Sequence, residues 1–242
     1  MRVRAVVAYD GTDYRGFQRQ ADGPTVQGVL EKALFQVTQT PTTTLAAGRT
    51  DAGVHAEGQV IAFDTAWRHP LADLERALNA VLPPDVAVRG VELAASNFHP
   101  RYAAKSRLYR YSVYNASTRS PLIRRTSWHV AETLDLGAMN RAAEYLAGEH
   151  DFASFGTPPQ GTVTIRRVLG AVWRKDPPWF FFDIEANAFL YRMVRSIVGT
   201  LLQVGRGELN PERVGELLAM RDRTCVKYMA PAHGLCLIQV RF

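Results

Sequence analysis

The sequence is short of several things, and each shortage excludes a class. Only Cys225 and Cys236 are present among 242 residues, too few for a disulfide framework, and their spacing does not match a paired-cysteine zinc site. No apolar run reaches membrane-spanning length, and the segment from Met1 to Asp10 is too short in apolar residues to serve as a signal peptide. The expectation is therefore a cytoplasmic protein with no membrane partner. No low-complexity tract is present, and with 47% apolar and 21% charged residues the chain can bury a sizeable core.

Acidic residues are missing from one long interval. Between Glu92 and Glu132 there is no Asp or Glu, while Arg101, Lys105, Arg107, Arg110, Arg119, Arg124 and Arg125 all fall inside it. Tyr102, Tyr109, Tyr111 and Tyr114 interleave with these cations. The formal net charge of +6 alone says little about partners. Cations that pair with phosphate, placed beside rings that stack on unpaired bases, suit RNA; a solvated strand face is the plainer alternative.

Hydrophobic periodicity orders the first half as strand, helix, strand, strand, helix, strand: Val3 to Tyr9, Thr25 to Gln39, Thr42 to Ala47, Gln59 to Thr65, Leu71 to Leu82 and Val86 to Leu93. Thr25 is the expected N-cap of the first helix. That order is the split βαβ, ferredoxin-like unit. A similar order with longer insertions follows. It runs through a strand at Leu108 to Tyr114 and a helix from Leu136 to Ala147, capped by Asp135 and Gly148. Strands at Thr164 to Trp173 and Trp179 to Glu185, helices at Ala188 to Val204 and Pro211 to Arg221, and a strand at Leu235 to Phe242 complete it. The predicted class is α+β, in two ferredoxin-like or RRM-like halves with antiparallel sheets flanking a basic cleft. The predicted domains are residues 1–100, an N-terminal domain with the Asp51 segment, and residues 101–242.

Three motifs bear on chemistry. Asp10-Gly11-Thr12-Asp13-Tyr14-Arg15-Gly16 spaces its glycines like a phosphate loop, but Phe17-Gln18 stand where Lys-Ser/Thr is required, so nucleoside triphosphate binding is rejected. What remains is a glycine turn, with Arg15 available to RNA. His55-Ala56-Glu57 has the spacing of a zinc deaminase element, yet no Pro-Cys-x-x-Cys follows. His55 is read as a hydrogen-bonding residue that shapes its loop. Asp51, in a short segment with two glycines, has an ordinary reading as a turn former. Against that reading stands the helix from Ala188, apolar on nearly all sides except for Arg192 and Arg195. An all-round apolar helix is buried, and a buried guanidinium needs an anion, either RNA phosphate or a carboxylate such as Asp51.

These segments together resemble the pseudouridine synthase family that acts on the anticodon arm of tRNA, the TruA family. The resemblance rests on Tyr9-Asp10-Gly11-Thr12 and Gly48-Arg49-Thr50-Asp51-Ala52-Gly53-Val54-His55-Ala56 in the first half. Phe98-His99-Pro100-Arg101, Arg107-Leu108-Tyr109-Arg110-Tyr111 and Gly148-Glu149-His150-Asp151-Phe152 continue it. Phe189-Leu190-Tyr191-Arg192-Met193-Val194-Arg195, Ala230-Pro231 and Gly234-Leu235 complete it. Phe17 and Pro100 depart from the Trp and Ala usual in the family.

The resemblance implies isomerisation of uridines 38, 39 and 40 of tRNA, with Asp51 as nucleophile on a flipped-out base. It further implies Tyr109 against that base, Arg195 paired with Asp51, Leu235 lining the pocket and Arg49 assisting base extrusion. A homodimer, and no cofactor or metal, are implied as well. Arg15 is added as an RNA contact from the composition of its glycine turn, and Arg107 and Arg110 from the charge pattern. Two other classes remain open at this point: a non-catalytic RNA-binding module and a nucleoside hydrolase.

Overall fold

The computed structural model describes all 242 residues and divides them into two compact units: Met1–Lys105 with Leu237–Phe242, and Ser106–Cys236.

In the first unit the order is β1 (Arg2–Tyr9), α1 (Val26–Thr38), β2 (Leu45–Ala46), β3 (His55–Asp64), α2 (Leu71–Val81), β4 (Val86–Leu93) and a single helical turn, α3 (Pro100–Ala103). The sheet runs β4–β1–β3, with β2 also on β3, and every one of these pairings is antiparallel. That is the predicted split βαβ arrangement. The cause is plain in β1, where Val3, Ala5, Val7 and Tyr9 alternate into the core while Arg2, Arg4, Val6 and Ala8 face away. From α1 the residues Val26, Leu30, Ala33 and Leu34 are buried, and from α2 Leu74 and Leu78, each Leu stabilising by roughly 1.5–3 kcal/mol. Thr25 caps α1 as expected, its hydroxyl accepting from the Gly28 N–H at 3.2 Å.

One strand starts earlier than periodicity places it. Pairing of Tyr9 with Ala56 draws His55 through Gly58 into β3, although Glu57 and Gly58 break the apolar pattern that begins at Gln59. The unit also closes differently from the expected break at residue 100. The chain end returns to it as β10 (Leu235–Arg241): the Lys105 N–H donates to the Arg241 carbonyl at 2.8 Å, and the Ile238 carbonyl lies 2.1 Å from where a Cβ on Gly58 would sit. Only glycine admits that approach.

The second unit begins with β5 (Ser106–Asn115), followed by β6 (Trp128–Val130), α4 (Leu136–Glu144), β7 (Gly148–Asp151), β8 (Ile165–Asp176), β9 (Trp179–Ala186), α5 (Met193–Gly205) and α6 (Arg213–Met220). Its strands lie in the order β5–β9–β8–β7, so β9 sits between β5 and β8 as β3 sits between β1 and β2. The sheet is not wholly antiparallel as expected, because the short β6, arriving after an irregular insertion, pairs with β5 in parallel. Asp135 caps α4 through the Ala138 N–H at 2.9 Å, but the helix ends at Glu144; Gly148, expected as its cap, instead opens β7 at a φ of 101°.

The arginine-bearing helix needs the largest correction. It starts at Met193, not Ala188, because Tyr191 is held in a β-bridge with Thr157 and Arg192 takes a left-handed φ of 64°. Apart from Arg195 and Gln203, every residue of α5 is buried, as its composition requires. Arg192 is exposed and Arg195 half-buried, so the expectation of two buried guanidinium groups on this helix fails.

Candidate active site

The Gly48–Val54 segment links the irregular stretch after β2 to β3, and an unusual number of contacts fix its path. The Gln59 side chain, wholly buried on β3, donates from Nε2 to the Gly48 carbonyl at 2.9 Å and accepts the Gly48 N–H at 3.3 Å. The side-chain amide thus completes the pairing that a neighbouring strand would otherwise supply. Two residues on, Thr50 shares a buried O–H···O bond of 2.8 Å with Tyr9, and its carbonyl accepts the Phe17 N–H at 3.1 Å. Gly53, at a φ of 77°, donates to the Tyr14 carbonyl at 3.3 Å, and the Val54 N–H closes a turn onto the Asp51 carbonyl at 3.1 Å. Asp51, half-buried, is therefore carried by a backbone held on both sides.

The glycine segment after β1 serves this loop. A Cβ on Gly11 would lie 2.0 Å from the Val54 carbonyl oxygen, and one on Gly16 would lie 2.6 Å from the Thr50 carbonyl oxygen. Gly16 also has a φ of 91°, which L side chains rarely adopt. The two glycines that imitate a phosphate loop let two backbones pack against each other. His55 seals the contact, its Nδ1 accepting the Gly11 N–H at 3.1 Å with Asp10 Oδ1 also 3.1 Å away. This is the loop-shaping role expected of His55. Asp10 Oδ1 in turn accepts from the Thr12 N–H at 3.0 Å and the Thr12 hydroxyl at 2.6 Å. Phe17, buried at the foot of the loop, sits with its ring centroid 6.2 Å from that of Tyr9. Arg15 and Arg49 are both exposed, and the stem of Arg15 lies over Gly23.

Within the second unit, alternation along β5 sorts the expected residues by face. Arg107, Tyr109, Tyr111 and Val113 point into the core, whereas Arg110 and Tyr114 lie on the opposite face. Tyr109 packs edge-on to Phe189 with centroids 5.1 Å apart. Arg107 is 8% exposed, and its Nη1 donates to the Asn187 carbonyl at 2.6 Å. Arg110 forms a two-pronged pair with Asp183, at 2.7 and 3.0 Å, and stacks over Phe181; Arg174 also reaches that carboxylate. Both arginines thus have partners inside the fold.

Arg195, on the first turn of α5, donates from Nε to the Ala230 carbonyl at 2.8 Å, while the Ala230 N–H returns to the Arg195 carbonyl at 2.9 Å. Next along the chain, the Pro231 carbonyl accepts from the Tyr111 hydroxyl at 2.9 Å. Gly234 lies flat on the Tyr111 ring, where a Cβ would come within 2.5 Å, and Leu235, 5% exposed, follows at once. Burial pushes the Tyr111 phenol well above its ordinary pKa, and the nearby Arg195 charge pulls the other way. The second unit therefore gathers Arg195, Tyr111 and Leu235 around the Ala230–Gly234 turn. Tyr111, expected as a ring to stack on unpaired bases, is wholly buried and holds this turn instead, and Gln59 is a contributor that sequence reasoning did not single out, since a buried amide leaves no spacing signal.

No group of three or more His, Cys, Asp or Glu side chains is arranged to hold a metal ion, and no helix is long and apolar enough to cross a membrane.

Comparison with known proteins gives these loops a context. The family model described as tRNA pseudouridine synthase matches residues 5–103 and 142–242. The chain is 45% identical over 241 residues to a tRNA pseudouridine synthase A of Geobacter sulfurreducens, covering 99% of each. It is 46% identical over 245 residues to that of Moorella thermoacetica, again covering 99% of each. With that of Chloroflexus aurantiacus it shares 46% identity over 248 residues, covering 99% of this chain and 88% of the relative. The matched residues include the Gly48–Val54 loop, α5 and the turn before β10, and the chain belongs to the tRNA pseudouridine synthase family, cofactor-independent isomerases of uridine.

Proposed function

We propose that this chain isomerises uridine to pseudouridine at positions 38, 39 and 40 in the anticodon arm of tRNA, with Asp51 as the nucleophile. The observation that carries the assignment is the anchoring of the Asp51 backbone through Gln59, Tyr9, Phe17 and Tyr14 on both sides of a half-buried carboxylate. A turn-forming aspartate needs no such support. Reacting groups do, because misplacement by an ångström costs rate steeply.

The reaction breaks the bond from N1 to C1′, turns the uracil, joins C5 to C1′, and moves the C5 proton onto solvent or nitrogen. No electrons are exchanged and no group is imported, so the balance calls for no cofactor or metal. One carboxylate serves either by attacking C1′ or by removing a sugar proton, and Asp51 is required in both routes. The target must leave its stack, at a cost of a few kcal/mol. We assign Tyr109 to the flipped base, Leu235 to the apolar wall that keeps water from it, and Arg195 to pairing with Asp51, which keeps that carboxylate anionic. Arg49 assists extrusion. Arg15 and Arg49, both exposed, make the first phosphate contacts, and Arg107 and Arg110 add positive charge while retaining their internal partners. The working form is a cytoplasmic homodimer in which one tRNA touches both subunits.

The test is Asp51→Ala assayed on tRNA for pseudouridine and, separately, for affinity. Loss of product at undiminished affinity is expected. Product formation by the variant would overturn the nucleophile assignment, and release of free uracil by the native chain would favour a hydrolase. Binding without any product from the native chain would favour an RNA-binding module.

A further inference from the structure

Arg192 and Arg223 are two cations for which the mechanism above has no use. Arg192 takes the left-handed conformation at the start of α5, exposed, with its guanidinium 4.8 Å over the Tyr191 ring. Arg223, on the short turn Arg223–Cys225, is locked in place: Nη1 donates to the Val226 carbonyl at 2.9 Å and Nη2 to the Ser196 hydroxyl at 3.0 Å. Ser196 joins the two, because its N–H donates to the Arg192 carbonyl at 3.0 Å while its hydroxyl holds Arg223.

Neither guanidinium has a carboxylate partner. The nearest acid in sequence, Asp222, is turned onto its own loop, where Oδ1 accepts from the Thr224 N–H and hydroxyl at 2.8 Å each. Burial lowers the Arg223 pKa, and the positive charge of Arg192 lowers it further. Folding thus holds two like charges close together, both beside the positive end of the α5 dipole, with nothing to neutralise them. An arrangement of that kind costs stability unless an anion binds. The fixed geometry of Arg223 suits a tetrahedral oxyanion, for which guanidinium donors in a rigid plane are well matched.

We infer that Arg192 and Arg223 form a phosphate-binding site that receives one backbone phosphodiester of the RNA substrate. The site lies wholly within the second unit, and the inference rests on the reading that the substrate is tRNA. It adds Arg223, and it gives Arg192 the phosphate that the sequence offered beside a carboxylate as its possible anion. Tyr191, 46% exposed, supports one face of the Arg192 guanidinium through its ring.

The test is Arg192→Gln, a change at an exposed position that leaves the Arg223 contacts intact. We measure tRNA affinity against salt, with Arg213→Gln as a control carrying the same loss of charge at a half-buried site on α6, where Arg213 is paired with Glu216 at 2.6 Å. Losing one phosphate contact flattens the slope of log affinity against log salt by about 0.7 to 0.9, and the control leaves it unchanged. Affinity at low salt falls roughly tenfold. In a second arm, inorganic phosphate is titrated against each protein by thermal shift; it stabilises the native chain more than Arg192→Gln. An unchanged slope for Arg192→Gln overturns the inference. So does loss of phosphate binding with tRNA binding intact, which would assign the site to free phosphate. Failure of the native chain to make pseudouridine would sink the enzymatic reading without touching this slope, so the two outcomes are separable.

Discussion

Replacing Gln59 with Leu tests whether the loop anchor matters to chemistry and not merely to folding. Leu is close in volume and apolar, so the wholly buried site is neither emptied nor overfilled. What is lost is the pair of hydrogen bonds to the Gly48 carbonyl and N–H, at 2.9 and 3.3 Å. An unpaired buried backbone group costs about 1–3 kcal/mol. Gly48 is only half-buried, and water recovers part of that cost, so about 2 kcal/mol for the pair is reasonable. For a chain of this size each kcal/mol moves Tm by about 2–4 °C, giving a fall of about 4–8 °C. The loop would lose its fixed entry three residues before Asp51. Single-turnover pseudouridine formation at saturating tRNA should then slow at least tenfold at a temperature where the variant is fully folded, with tRNA affinity retained. A variant with the expected Tm loss but native single-turnover rate would show that the anchor stabilises the unit without positioning Asp51.

Other consequences follow from the same geometry. Gly16→Ala places a Cβ 2.6 Å from the Thr50 carbonyl at a φ of 91°, so it should destabilise by about 2–4 kcal/mol, readable by urea denaturation; a neutral result would mean the loop yields freely. Arg110→Glu sets a carboxylate against Asp183 and should destabilise the second unit by about 1–3 kcal/mol, whereas native stability with weaker tRNA binding would make it a pure RNA contact. Burial raises the pKa of Tyr14, helped by its bond to Asp85, and burial also raises that of Tyr111. Their neutral forms are favoured in the folded state, while unfolded phenols ionise from about pH 10. Stability from these groups is therefore complete below about pH 10 and lost as pH rises above it. Absorbance titration should show at least two of the nine tyrosines remaining protonated until the chain unfolds.

The element order of the first unit and most of its strands could be read directly, because period-two and 3.6-residue burial patterns are local properties of Val3–Tyr9 or Thr25–Gln39. The misplaced boundaries share one cause. His55–Gly58 became strand because β1 offered it a partner, and Ala188–Arg192 stayed out of helix because Thr157 held Tyr191 in a bridge. In both cases a residue distant in sequence outweighed local preference.

For the site, the sequence by itself determined which aspartate to consider, that zinc and nucleotide loops lacked their essential residues, and that an all-round apolar α5 must be buried. Those are matters of residue type and spacing, which the chain carries unfolded. Only the tertiary structure decided why Gly11 and Gly16 are glycines, that Gln59 and Tyr9 hold the run into Asp51 while Tyr14 holds the run out of it, and that Arg107 and Arg110 have partners within the fold. It also parted Arg192 from Arg195, sending the first to the surface beside Arg223 and the second to the Ala230 carbonyl. Hydrogen-bond partners and close backbone approaches join residues tens of positions apart, and only folding supplies those distances.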